Sequence, residues 1–350
     1  MSQGVLLLNL GSPASTAPGD VYQYLREFLG DPRVIDYSRL KRTILVEGII
    51  APFRARGSAE AYEKVWTDEG SPLLVMAYKV RDLLAERLEI PVEVGMRYGD
   101  PSTEAGIRAL LARGATEIFV IPLYPHYAMS SYETAVARAK EVISEVAPEV
   151  RLVVQPPFYN DPDYIDALVE VAAPHMEEDF DHMLFSYHGI PERHVRATDP
   201  SGCYCLETSD CCRRKSPAHA FCYRHQCFAT TWAFAEKAGL SPDQYSLSFQ
   251  SRLGSDPWLQ PFTDKVIEEL PSKNKKRLVI ISPAFVADCL ETIEELGMEG
   301  KEDFLEAGGK EYRLVPCLND HPKWIDLLER FVKDYLDDKL TLGHEHTTAF

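Results

Sequence analysis

The chain has 350 residues, 45% hydrophobic and 26% charged, which is room for two cores and unlike a disordered or fibrous composition. It sets 54 Asp and Glu against 37 Lys and Arg, a net charge of −17, and so lacks the basic face that nucleic-acid binding needs. The apolar run at 5–8 has no basic flank and is too short for a signal peptide, and no stretch has the length of a membrane span; a cytoplasmic protein with reduced thiols is expected.

The first predicted strand, 5–10, runs into Asn9-Leu10-Gly11-Ser12-Pro13. A helical pattern at 73–88 precedes the second strand, 92–98, which closes on Arg97-Tyr98-Gly99. Helix 103–113 leads to strand 117–123 and the aromatic run Tyr124-Pro125-His126-Tyr127. Helix 132–146, strand 150–155 and helix 163–171 follow. Strand 183–187 then stops abruptly at His188-Gly189, with Pro191 blocking continuation. Helix 229–238 separates it from strand 245–250, which ends in Gln250-Ser251-Arg252; strands 277–282 and 312–316, a last helix at 321–340 and a polar tail at 341–350 complete the chain. Strands alternating with helices predict an α/β fold of two four-stranded parallel sheets with right-handed crossovers, divided near Pro156-Pro157.

Polar and aromatic residues gather at the carboxyl ends of these strands, where open α/β sheets bind ligands. Neither a G-x-G-x-x-G turn nor a Walker loop is present, so a nucleotide is not indicated, and no G-x-S-x-G elbow supports a serine hydrolase. His188 is delivered to such an end by a stiff strand, with a glycine beside it that leaves space for a ligand. A hydrogen-bonded loop histidine is the plain alternative. A hundred residues on, a helix starting near Asp288 would carry Asp288, Glu291 and Glu295 at i, i+3 and i+7 on one face. That spacing fits either a capping box or a stripe of metal-handling and proton-accepting carboxylates. With a strand-end imidazole, such a stripe suits ferrous iron.

Six long motifs make the chain resemble the ferrochelatases. They are NLGSP at 9–13, MRYGDP at 96–101, PLYPHY at 122–127, FSYHGIPER at 185–193, FQSRLGSDPWLQP at 249–261 and AFVADCLETIEEL at 284–296. The resemblance implies a lyase that inserts ferrous iron into a porphyrin, here taken as protoporphyrin IX with coproporphyrin as the alternative. It also implies two similar domains facing a porphyrin cleft: 1–156 with the last helix, 321–340, packed back on it, and 157–320. His188 and Glu291 would face the metal, Asp288 and Glu295 would extend the acidic helix, and Arg97, Tyr98, Tyr127 and Trp258 would line the porphyrin pocket. Cys289 stands where animal members have histidine, and reads as an inert buried thiol. Residues 41–55, apolar with basic flanks, resemble the family's active-site lip and either touch a membrane surface or form a core helix. A non-catalytic haem- or iron-responsive protein of the same fold is the competing reading; intact His188 and Glu291 favour the enzyme.

An insertion at 201–227 departs from the family's usual short loop. It holds six of the eight cysteines, Cys203, Cys205, Cys211, Cys212, Cys222 and Cys227. Such crowding in a cytosolic chain points to metal ligation, and zinc or a [2Fe–2S] cluster would each take four thiolates. Similarity to bacterial members with an internal cysteine-rich segment implies the cluster; six candidates for four places leave its ligands open, with Cys222 and Cys227, which flank a helix start, ranked first, Cys205 and Cys212 next, and Cys211 or Cys203 as substitutes.

Overall fold

The computed structural model describes residues 2–254 and 256–339, so the tail at 341–350 lies outside the described residues. Strands β1 (Gln3–Gly11), β2 (Val92–Tyr98), β3 (Glu117–Pro122) and β4 (Arg151–Val154) form one sheet in the order β2-β1-β3-β4. Strands β5 (His182–His188), β6 (Tyr245–Gln250), β7 (Arg277–Ile281) and β8 (Glu311–Leu314) form a second, in the order β6-β5-β7-β8. Every pairing is parallel, and helices flank both sheets, as the alternating pattern predicted. By its contacts the chain divides into two compact units. One comprises Met1–Tyr124, Met129–Pro157 and the segment from Trp324; the other comprises Pro125–Ala128 and Phe158–Lys323.

In the first unit, β1 is a central strand covered on both faces, which is why Val5, Leu6, Leu7 and Leu8 are all apolar and fully buried. Each such side chain contributes about 2 kcal/mol of burial. The last helix, Pro322–Leu336, is tied to β3: Tyr335 stacks on Phe119 with centroids 4.5 Å apart and gives its hydroxyl to Glu117. Glu117 in turn accepts from Arg151 at 3.0 Å. Residues 18–65 form helices Pro18–Leu29, Arg39–Leu45 and Ala51–Val65, with a π turn at Val46–Ile50, where the sequence had suggested only the one segment 41–55.

In the second unit, β5 is the central strand beside β6, and its ladder with β6 reaches His188 opposite Gln250. The ladder with β7 stops earlier, at Phe185 opposite Ile281. The end of β5 therefore stands clear of β7, and the chain after β7 crosses there, Ser282 donating to the Ser186 carbonyl at 3.0 Å.

Candidate active site

His188 ends β5 half-buried, with Nδ1 2.6 Å from the Gly189 carbonyl. A carbonyl only accepts, so Nδ1 carries the hydrogen and Nε2 presents its lone pair. The Phe285 ring lies with its centroid 6.4 Å from that of His188, bringing the segment after β7 to the histidine. Gly189 has a different purpose from the one its sequence suggests. A Cβ there would meet the Ser251 carbonyl at 2.8 Å, the Gln250 carbonyl at 3.0 Å and the Trp258 ring at 3.3 Å. The glycine admits the chain's own backbone and indole rather than a ligand. Trp258 is fixed against that corner by its Nε1 bond to the Leu253 carbonyl at 3.1 Å.

The acidic helix differs from expectation. Glu291–Glu299 is a π-helix, not an α-helix from Asp288. The wider i→i+5 turn aligns residues four apart, so Glu291, Glu295 and Glu299 make the row. Glu291 and Glu295 are partly buried and Glu299 is exposed, so the row runs from interior to surface. Asp288 lies off it. Its carboxylate accepts from Asn319 Nδ2 at 2.6 Å, Thr292 Oγ1 at 3.1 Å and the Cys317 amide at 3.3 Å, pinning the turn into the helix. Glu295 accepts from Ser251 Oγ at 2.7 Å. Burial first, then the charge of Glu291, push its carboxyl up to about 7, although the Ser251 bond pulls the other way. Ser251 sits in the left-handed region at φ 59, a strained conformation that aims its hydroxyl at the row. Glu299 and Ser251 are the residues that sequence reasoning missed. The i, i+4, i+8 spacing of the glutamates was the available signal. Cys289 is buried, and burial together with nearby Glu291 pushes its thiol well up, keeping it protonated.

Arg97 and Tyr98 stand behind a pocket rather than in it. Arg97 reaches Asp31 and gives Nε to Thr134 at 2.8 Å, and the buried Tyr98 gives its hydroxyl to Asp31 at 2.9 Å. Burial alone would raise the Asp31 carboxyl. Bonds from Thr134, the Arg33 amide and Tyr98, with the Arg97 charge, outweigh it and hold the group low. Tyr127 is buried too, its amide bonded to Gln226 Oε1 at 2.6 Å. In the first unit a cavity of about 570 Å³ opens between Ser12-Pro13-Ala14, Gly99-Asp100 and the helix Pro18–Leu29, so two of the motifs converge on one small-molecule-sized space.

The insertion is organised by Asp199, whose carboxylate accepts the amides of Ser201, Tyr204 and Cys205 at 2.8–2.9 Å. Cys212 neighbours Cys222 and Cys211, and Cys222 neighbours Cys205, closely enough for the thiols to shift one another's titration, all four being buried. Arg224 Nη1 lies 3.1 Å from Cys212 Sγ and 3.7 Å from Cys211 Sγ. His219 and His225 stack at 3.5 Å and engage the carbonyls of Cys211 and Cys212. Cys203 is exposed, and Cys227 is buried beside Tyr223, close enough to Cys222 and Cys212 for their charges to raise its thiol further. No three His, Cys, Asp or Glu among the described residues are arranged to hold a metal ion.

A model of the ferrochelatase family matches residues 2–336. The chain belongs to the ferrochelatase family. A ferrochelatase of Opitutus terrae is 49% identical over 96% of this chain and 98% of its own, and one of Ectopseudomonas mendocina is 48% identical over 93% and 96%. The family's reaction, iron insertion into a porphyrin to make haem, is thereby the chain's activity. Among solved structures, SirB from Bacillus subtilis matches with a TM-score of 0.54 over 95% of both chains at 14% identity. The sirohydrochlorin chelatase SirB of Bacillus subtilis subspecies spizizenii matches with a TM-score of 0.54 over 97% of both at 11% identity. Ferrochelatase and these chelatases share the fold of paired four-stranded parallel sheets.

Proposed function

We propose that this ferrochelatase inserts ferrous iron into protoporphyrin IX and releases the two pyrrole N–H protons, a lyase reaction. The observation that carries the proposal is the pairing, at the end of one sheet, of His188, with an open Nε2, and Glu295, which titrates near neutrality. Each nitrogen that takes the metal must lose its hydrogen, and Nε2 of His188 accepts one directly. Glu291 stands at the inner end of the carboxylate row and faces the entering iron with His188. Glu295 and Glu299 pass charge between that point and solvent. Asp288 positions the row through its three hydrogen bonds. Arg97 and Tyr98 support the porphyrin-binding cavity of the first unit from behind, and Tyr127 and Trp258 are the porphyrin-binding residues of the second.

Cys205, Cys211, Cys212 and Cys222 offer a [2Fe–2S] cluster four buried thiols; the neighbouring Cys222 and burial push the Cys212 thiol up, and the Arg224 cation, 3.1 Å from its Sγ, opposes them. A two-iron cluster takes two thiolates at each iron, whereas zinc needs its ligands around one point. Such a cluster, when bound, supplies one-electron redox capacity and cross-links the loop.

Contact with the cytoplasmic face of a membrane is the further part of this reading. Leu40, Ile44, Ile49 and Phe53 are exposed, Phe53 at 81%, among Arg39, Lys41, Arg54 and Arg56. No helix of the described residues is long and apolar enough to cross a membrane. The test is an anaerobic assay with iron and either protoporphyrin IX or coproporphyrin, beside iron, zinc and acid-labile sulfide analysis. Faster turnover of protoporphyrin and two irons and two sulfides per chain are expected. A coproporphyrin preference would overturn the substrate, and stoichiometric zinc without sulfide would overturn the cluster.

A further inference from the structure

The first turn of the helix Tyr223–Lys237 touches both the cysteine pocket and the strand end that carries His188. Tyr223, buried, donates its hydroxyl to the His188 carbonyl at 2.9 Å. Its chain neighbour Cys222 caps the same helix, Sγ accepting the His225 amide at 3.5 Å, while the His225 ring engages the Cys212 carbonyl at 2.8 Å, and Cys205 and Cys212 are its thiol neighbours. One turn on, Gln226 accepts the Tyr127 amide and gives Nε2 to the Ala220 carbonyl at 2.9 Å. The His188 ring is oriented by its own backbone, through Nδ1 and the Gly189 carbonyl. That backbone is held on one side by the Gly189 amide bond to the Gln250 carbonyl at 2.7 Å and on another by Tyr223. Whatever moves Cys222 moves the adjacent Tyr223, and with it the seat of the imidazole.

We propose that Tyr223 is a positioning residue that couples the four-thiol pocket to His188, so that the state of the pocket sets the rate of metal insertion. The inference rests on the reading of His188 as the group that meets the porphyrin nitrogens. A misplacement of a reacting group by about 1 Å costs on the order of a hundredfold in rate. Losing one hydroxyl that holds the strand end costs part of that, about tenfold. Substrate affinity is untouched, because Tyr223 meets the His188 backbone and not the ligand.

The experiment is a double-mutant cycle in the full chain, with Tyr223→Phe, Cys205→Ser and their combination. Cys205 is chosen because it perturbs the pocket without altering the helix cap. The readouts are kcat, porphyrin KM and metal-free porphyrin affinity by fluorescence quenching. Tyr223→Phe is expected to lower kcat about tenfold with affinity and KM within about twofold. Cys205→Ser is expected to lower kcat, and the double variant to fall no further than the worse single one. Full kcat in Tyr223→Phe, or losses that multiply in the double variant, would overturn the inference. If Cys205→Ser does not fold, Arg224→Gln, which removes the cation beside Cys212, takes its place in the cycle. His188→Ala run alongside separates the two levels. An active His188→Ala refutes the site; an inactive one with a fully active Tyr223→Phe refutes only the coupling.

Discussion

Replacing Glu295 by glutamine should move stability and turnover in opposite directions. The carboxyl titrates near 7 in the folded chain instead of near 4.5, first because it is buried and then because Glu291 is close. Below the ordinary value the group is protonated in both states and costs nothing. As pH rises from 4.5 towards 7 the unfolded chain releases the proton first, so the folded state loses ground. Above 7 both are ionised and the full cost, about 3 kcal/mol, applies. Glutamine removes the charge, keeps the shape and still accepts from Ser251. In urea denaturation the variant should exceed the wild type by about 2–3 kcal/mol at pH 8 and by less than about 1 kcal/mol at pH 5. Turnover should fall at least tenfold, on the order expected for losing a proton-transfer group. A variant no more stable than wild type at pH 8 would refute the argument that Glu291 and burial strain this carboxyl.

Glu299→Gln, at the exposed end of the row, should slow turnover severalfold and leave the melting midpoint unchanged. The buried Glu294→Gln should instead cost about 1–3 kcal/mol of stability with less effect on kcat, and the reverse pattern in melts and steady-state rates would show that the π-helical row is wrong. Phe53→Ser combined with Leu40→Ser should lower cosedimentation with anionic vesicles without changing kcat on a soluble porphyrin. Equal sedimentation would remove the membrane role of that face.

All eight strands were readable because strands of parallel sheets are buried on both faces and leave short apolar runs between helical patterns. The boundaries of the helices over 39–65 were not, since a surface that exposes Leu40, Ile44 and Phe53 breaks the apolar periodicity that marks a packed helix. The motifs do not say which way their side chains turn. Arg97 and Tyr98 are drawn inward by Asp31, sixty-six and sixty-seven residues away in the chain, and no local pattern records that pairing. The carboxylate row was drawn from Asp288 and stopped at Glu295, although Glu299, four residues on, shares that face at the α-helical period too; what the sequence does not record is that the helix begins as a π-helix at Glu291, which leaves Asp288 off the row. Gly189 looked like ligand space because the return of Gln250 and Ser251 beside it is set by sheet register. Cys211 joins the other thiols through a loop folded around Asp199, where spacing along the chain says little.

The central claim is that His188 Nε2 takes part in metal insertion. The direct measurement is the anaerobic appearance of haem absorbance from ferrous iron and protoporphyrin IX, with wild type and His188→Ala compared at equal porphyrin occupancy. The account predicts that the variant melts like wild type, quenches porphyrin fluorescence as before, and forms haem at least about a hundredfold more slowly. Haem formation at the wild-type rate by the variant would contradict it.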